Sequence, residues 1–136
     1  MTKREGKLTP AQFEIMEIVW DSPSGITVAE IWKVISARRG VGRTTALNLV
    51  DRLEARGWLK RRKSDNVFQY TATVDRQTAA RQAATEFVHD FFGGSTAELV
   101  MSLLGNRRIS PAEVARLREM LDEQTATKRA PKGEQS

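Results

Sequence analysis

Two short amphipathic segments followed by two β-prone runs, all between Thr27 and Thr73, restrict this chain more than any other feature of its sequence. The first segment begins Thr27-Val28-Ala29-Glu30, and Thr with Glu three residues on is the reciprocal pairing that satisfies open backbone N–H groups at a helix start. The second runs from Arg43 to Arg56 and meets Gly57, a residue that tolerates the left-handed turn closing a helix. Arg38-Arg39-Gly40-Val41-Gly42 supplies the turn between them. Trp58 to Lys63 and Val67 to Thr73 then flank the turn cluster Ser64-Asp65-Asn66. Helix, turn, helix and ribbon in that order predict a winged helix-turn-helix, a mainly α fold with one small β-hairpin.

Charge points to the partner of such a module. The formal charge is +5, and residues 1–74 hold 13 Lys and Arg against 8 Asp and Glu, while residues 75–136 hold 9 against 9. From Arg38 to Lys63 nine cations oppose only Asp51 and Glu54. A basic footprint confined to one module implies a polyanion. Zero Cys removes disulfides, thiolate metal sites and cysteine nucleophiles together, and a single His leaves too little for a histidine-based zinc site, so neither metal nor cofactor is expected. No apolar run approaches the ~20 residues that cross a bilayer, and the polar start lacks the apolar region of a signal peptide. The expected location is cytoplasmic, without membrane insertion.

Outside this stretch the chain reads as helices. Thr9-Pro10-Ala11-Gln12 opens one that runs to about Trp20, with Phe13, Met16 and Trp20 on one face and Val19 beside them. Asp21 to Gly25 is a loop by composition. After Asp75, Ala79, Ala80, Ala83, Ala84, Phe87, Val88 and Phe91 recur at helical spacing through Phe92, and Gly93-Gly94 breaks the run. Ser95-Thr96-Ala97-Glu98 opens a fifth helix around Leu99, Val100, Leu103 and Leu104, stopped by Gly105-Asn106. Ser110-Pro111-Ala112-Glu113 opens a sixth with the stripe Val114, Leu117 and Leu121, and residues 125–136 lose all periodicity, as a frayed, disordered tail would. The domains expected are therefore a DNA-binding winged helix over 1–74, a helical region over 75–124 and a tail over 125–136. Three alanine-rich helices bury too little surface to stand alone. They either fold back on the module or pair with a second copy, and a homodimer through Phe87, Phe91, Phe92, Leu99, Leu103, Leu117 and Leu121 is the favoured reading.

In the second helix of the helix-turn-helix, Ala46, Leu49, Val50 and Leu53 follow the i, i+3, i+4, i+7 pattern of a buried face. Thr44, Asn48 and Asp51 then turn outward with Thr45, Leu47 and Arg52 flanking. Short hydroxyl and amide side chains with one aliphatic neighbour suit a major groove, where they bond base edges and Leu47 touches a thymine methyl. Thr44, Thr45, Leu47, Asn48 and Arg52 are the candidate base-reading residues. Arg43, Arg61, Arg62 and Lys63 are the candidates for phosphates, which position a protein without reading sequence. A plain solvated helix face and a Lys/Arg-guarded edge strand are the bland alternatives.

The remaining motifs carry less. Asp51 and Glu54 read as salt-bridge partners of neighbouring Arg residues, and no carboxylate pair has a catalytic companion, so no catalytic residues are expected. His89, among Phe87, Val88, Phe91 and Phe92, reads as packed or interfacial. Trp20, Trp32 and Trp58 read as core or boundary aromatics, and Gly93-Gly94 as a helix break rather than a phosphate loop.

Several separated blocks resemble the BlaI/MecI penicillinase-repressor family of bacterial transcription regulators over Leu8 to Gln124. Leu8-Thr9 with Glu14-Ile15-Met16 and Trp20 looks like that family's first helix; Thr44-Thr45 with Arg52-Leu53-Glu54 and Gly57 looks like its recognition helix. Phe68-Gln69-Tyr70 resembles its wing, and Phe91 to Ser95 its dimerisation region. The resemblance implies a non-enzymatic homodimeric repressor on a palindromic double-stranded DNA operator, of β-lactam-resistance or related genes. In well-known members a membrane sensor protease answers β-lactam and the repressor is cut in its dimerisation region. The position of the cleaved asparagine–phenylalanine pair is occupied here by Ser102-Leu103, and the cysteine motif of copper-responsive relatives is absent. Asn48 stands where relatives often carry Thr, and Arg43 where many carry an aromatic. The rival from another class is a winged-helix protein-interaction module whose basic wing docks an acidic protein.

Overall fold

The structure, a computed structural model, describes residues 6–134, with side chains to residue 126. Eight elements follow in order: α1 (Pro10–Trp20), α2 (Val28–Arg39), α3 (Arg43–Ala55), β1 (Leu59–Ser64), β2 (Val67–Ala72), α4 (Arg76–Phe92), α5 (Thr96–Gly105) and α6 (Pro111–Glu134). The fold is a winged helix-turn-helix, mainly α with a two-stranded antiparallel hairpin.

Local chemistry sets the boundaries. Thr9 and Gln12 form a capping box on α1, and Thr27 and Glu30 form one on α2. Gly57 adopts φ +84 and closes α3, with its N–H on the Glu54 carbonyl at 3.0 Å and the Trp58 N–H on the Leu53 carbonyl at 2.9 Å. That pair of bonds is a Schellman motif, and the left-handed residue it requires is least costly as glycine. Ser64 pairs with Val67, which leaves Asp65 (φ 51) and Asn66 (φ 65) as a two-residue loop. Positive φ at both positions is the signature of a type I′ turn, whose twist matches the strands it joins.

The core of the module is Ile15, Met16, Ile18 and Val19 from α1, Ile31 and Ile35 from α2, Ala46, Val50 and Leu53 from α3, and Trp58, Leu59 and Tyr70 from the ribbon. α1 differs from expectation: its buried set centres on Ile15 and Ile18, while Phe13 and Trp20 are half-buried and meet edge to face at 5.5 Å. A second, short pairing lies outside the hairpin. Ile26, in the α1–α2 loop, exchanges both backbone bonds with Tyr70, at 3.1 and 2.8 Å, and so holds β2 from its other edge.

The chain divides into two compact units, one ending at Glu86 and one beginning at Phe87. Charge placed the first boundary near Val74, but Ala79 is 1% exposed within the core of the first unit, so the start of α4 packs as part of it. In the second unit Gly93 (φ 56) and Gly94 (φ 87) end α4, with the Gly94 N–H on the Val88 carbonyl at 3.0 Å. Ser95 caps α5. α6 differs from the expected tail, remaining helical to Glu134. The apolar stripe ends at Leu121, and the helix continues past it through Ala126, Lys128, Arg129 and Ala130, residues of high helix propensity. Residues 135 and 136 lie outside the described residues.

Candidate nucleic-acid interface

α3 separates into two faces. Ala46, Val50 and Leu53 are fully buried and Leu49 is half-buried. Arg43, Thr44, Thr45, Leu47, Asn48, Asp51 and Arg52 are exposed, Leu47 to 42%. All five candidate base-reading side chains thus share the solvent side of one 13-residue helix fixed to the core by its other side. Gly42 at the N-cap brings no side-chain cap to the first turn, beside Arg43, Thr44 and Thr45.

The wing carries Lys60, Arg61, Arg62 and Lys63, all exposed. Strand alternation divides them: Arg61 and Lys63 share a face with buried Leu59, while Lys60 and Arg62 lie on the other. Arg61 is engaged within the protein. Its Nε lies 3.1 Å from Glu54 Oε2, its guanidinium sits 4.2 Å from the centre of the Phe68 ring, and it pairs across the hairpin with Tyr70. Burial pushes the Tyr70 phenol pKa upward, and a hydrogen bond with Arg61 partly opposes that shift.

Two other cations of the footprint are also engaged. Glu14, on α1, makes a short ion pair with Arg39 and a second with Arg38 at 3.7 Å, bracing α1 against α2. A count limited to residues 38–63 misses this carboxylate because it arrives from a distant helix. The remaining cations of the footprint are consequently Arg43, Arg52, Arg56, Lys60, Arg62 and Lys63, none of which forms an ion pair among the described residues.

The second unit presents a different surface. Phe91 is 71% exposed, Phe87 47%, Leu121 64%, Leu117 40% and Leu103 37%, while Phe92 and Leu99 are half-buried. Phe87 contacts Phe91 and Phe92 at centroid distances of 4.9 and 5.9 Å. Met101, Leu104 and Met120 add to this exposed apolar surface, the two methionines lying outside the stripe that helical spacing picks out. His89 is exposed and lies 3.3 Å from Asp90, not packed within this chain. Ser102-Leu103 lies inside α5, so cutting that peptide bond requires the helix to unwind locally. No helix of the described residues is long and apolar enough to cross a membrane.

A family model described as penicillinase repressor matches residues 8–123. The penicillinase repressor of Staphylococcus aureus is 25% identical over 123 residues, covering 90% of this chain and 97% of that protein. The penicillinase repressor of Bacillus licheniformis is 26% identical over 121 residues, covering 89% and 94%. A solved structure of Bacillus licheniformis BlaI, a monomeric form in complex with the blaP half-operator, is 28% identical with a TM-score of 0.49, covering 55% of this chain and 90% of that one. Matched over residues 8–123 and along nearly the whole length of its relatives, the chain belongs to the penicillinase repressor family, whose members are DNA-binding transcriptional repressors and not enzymes.

Proposed function

We propose that the chain represses transcription as a homodimer that places two copies of α3 in successive major grooves of a palindromic operator. The observation that carries this reading is the exposed row Thr44, Thr45, Leu47, Asn48 and Arg52 on a helix whose opposite face packs on the core through Ala46, Val50 and Leu53. Hydroxyl, amide and guanidinium groups on one rigid face match base-edge donors and acceptors, and Arg43, Arg62 and Lys63 supply the charge that holds a duplex in register.

Dimerisation is supported by the second unit. Eight large apolar side chains between Phe87 and Leu121 are more than a third exposed, more than a soluble monomer leaves uncovered without a use. An isologous pairing buries them and gives the two-fold symmetry that a palindrome requires. The named relatives repress penicillinase, which makes β-lactam-resistance and related genes the first targets to test, with action in the bacterial cytoplasm. A membrane sensor protease is a candidate upstream partner, to be sought among neighbouring genes.

The test is salt-dependent binding of the full chain to one duplex, enriched from a random pool, over its scrambled version. Preference for the enriched duplex supports the repressor. Equal, weak binding to both, with an acidic protein bound instead, supports an interaction module.

A further inference from the structure

We propose that Arg61 is a positioning residue, which holds the wing against the recognition helix through Glu54 and does not contact a phosphate. This rests on the reading that α3 and the hairpin meet DNA together.

Arg61 has a neighbour on each element it joins. Glu54, in the last turn of α3, is 3.1 Å away, and its side chain is 28% exposed against 46% for Arg61. Phe68, two residues along β2 from the cross-strand partner Tyr70, lies beneath the guanidinium at 4.2 Å. That diagonal is within reach of long side chains on one face of an antiparallel pair. A planar guanidinium satisfies a carboxylate in its plane and an aromatic ring across its face at the same time, which an ammonium does not. The ring explains itself by the same contact: Phe68 is 42% exposed beside the turn, an expensive place for an aromatic that has no partner.

Charge argues in the same direction. A guanidinium beside a carboxylate contributes no net positive charge, so a phosphate at Arg61 also meets Glu54 at short range. Lys60, Arg62 and Lys63 lie on the same strand and form no ion pair among the described residues. The backbone charge of the duplex is theirs to neutralise, and Arg61 fixes the strand that presents them.

The experiment uses the full chain and four variants, Glu54→Gln, Arg61→Lys, Arg61→Gln and the double Glu54→Gln/Arg61→Gln. Each is titrated against a duplex enriched by the unmodified chain from a random pool and against its scrambled version, across a salt series. A positioning role predicts that Glu54→Gln lowers preference for the enriched duplex by about twofold to tenfold, although it removes a negative charge from the DNA side. Arg61→Lys does the same despite keeping its charge, the double variant is no worse than the poorer single, and the salt slope is unchanged. A phosphate contact predicts the reverse: Glu54→Gln tightens both duplexes, Arg61→Lys is nearly silent, and Arg61→Gln alone flattens the slope by about one per subunit. That pattern overturns the proposal. Should the Arg61 variants unfold, Glu54→Gln still decides by the direction of its effect, because it preserves shape. An unmodified chain that enriches no duplex overturns the DNA reading itself, and is recognised before any variant is made.

Discussion

Trp20 donates its indole N–H to the Val74 carbonyl at 2.8 Å, joining the end of α1 to the residue that precedes the α4 cap. Arg76 reinforces the junction, with Nη2 3.2 Å from Asp21 Oδ1 and its guanidinium 5.6 Å from the Trp20 ring. The start of α4 is therefore anchored to the winged helix by Trp20, the last residue of α1, and by Asp21 just after it. Trp20→Phe keeps most of the ring and leaves the carbonyl partly buried without its donor, so the first unit should lose about 1 to 3 kcal/mol. Urea denaturation followed by helical signal measures it; an unchanged midpoint would show that the bond contributes nothing to holding α4.

Contacts to bases and contacts to phosphates should fail differently. Asn48→Ala should relax base preference at one position of each half-site, by about 1 to 3 kcal/mol where the amide bonds are bidentate. Arg62→Ala with Lys63→Ala should weaken every duplex alike and flatten the salt slope by about one per contact removed. Competition between related duplexes separates the two. Unchanged base preference in Asn48→Ala would remove that residue from the reading face.

The helix caps carry a pH dependence. Glu30 is held below its ordinary pKa, first by the backbone N–H of Thr27 and then by the Thr27 hydroxyl, and Asp75 is lowered first by the Thr78 side chain. A depressed folded-state pKa contributes stability that is present above the unfolded value and lost as pH falls through the folded one. Acidification below the usual carboxylate range should thus loosen the starts of α2 and α4. In Glu30→Gln with Asp75→Asn, which retain acceptors without titrating, the acid loss should be smaller; superimposable pH–stability curves would contradict this assignment.

Phe87 and Phe91 are exposed in the single chain, which makes them a clean probe of association. Converting both to Asp costs an isolated helix little, whereas two carboxylates in a dry interface cost several kcal/mol. Sedimentation should show a concentration-dependent dimer for the unmodified chain and a folded monomer for the variant. A variant that remains a dimer would place the interface elsewhere in the second unit.

Much of this architecture is legible from spacing and chemistry. The boundaries of α1, α2 and α3 follow from Thr9-Gln12, Thr27-Glu30 and Gly57, because caps and stops are local. The division of α3 into Ala46, Val50 and Leu53 against Thr44 and Asn48 follows from a 3.6-residue period. What the spacing did not yield is long-range. Ile26 has no strand pattern around it, and its pairing with Tyr70 depends on where the loop is carried. Glu14 and Arg39 lie far apart in sequence, and Arg61 looks like one of four equivalent wing cations until Glu54 and Phe68 are placed beside it. Ala79 belongs to an alanine run whose members differ only in which one faces the core.

Specific recognition of symmetric DNA by a dimer is read out by enrichment of random-sequence duplexes with the full chain, followed by sequencing. The recovered motif should be an inverted repeat whose half-sites are centred about 34 Å apart, or a multiple of one helical turn. Affinity for it should fall by about 10³ to 10⁵ between 50 and 200 mM salt if roughly 6 to 10 phosphates are neutralised. A motif without two-fold symmetry, or no enrichment over the starting pool, would contradict the account.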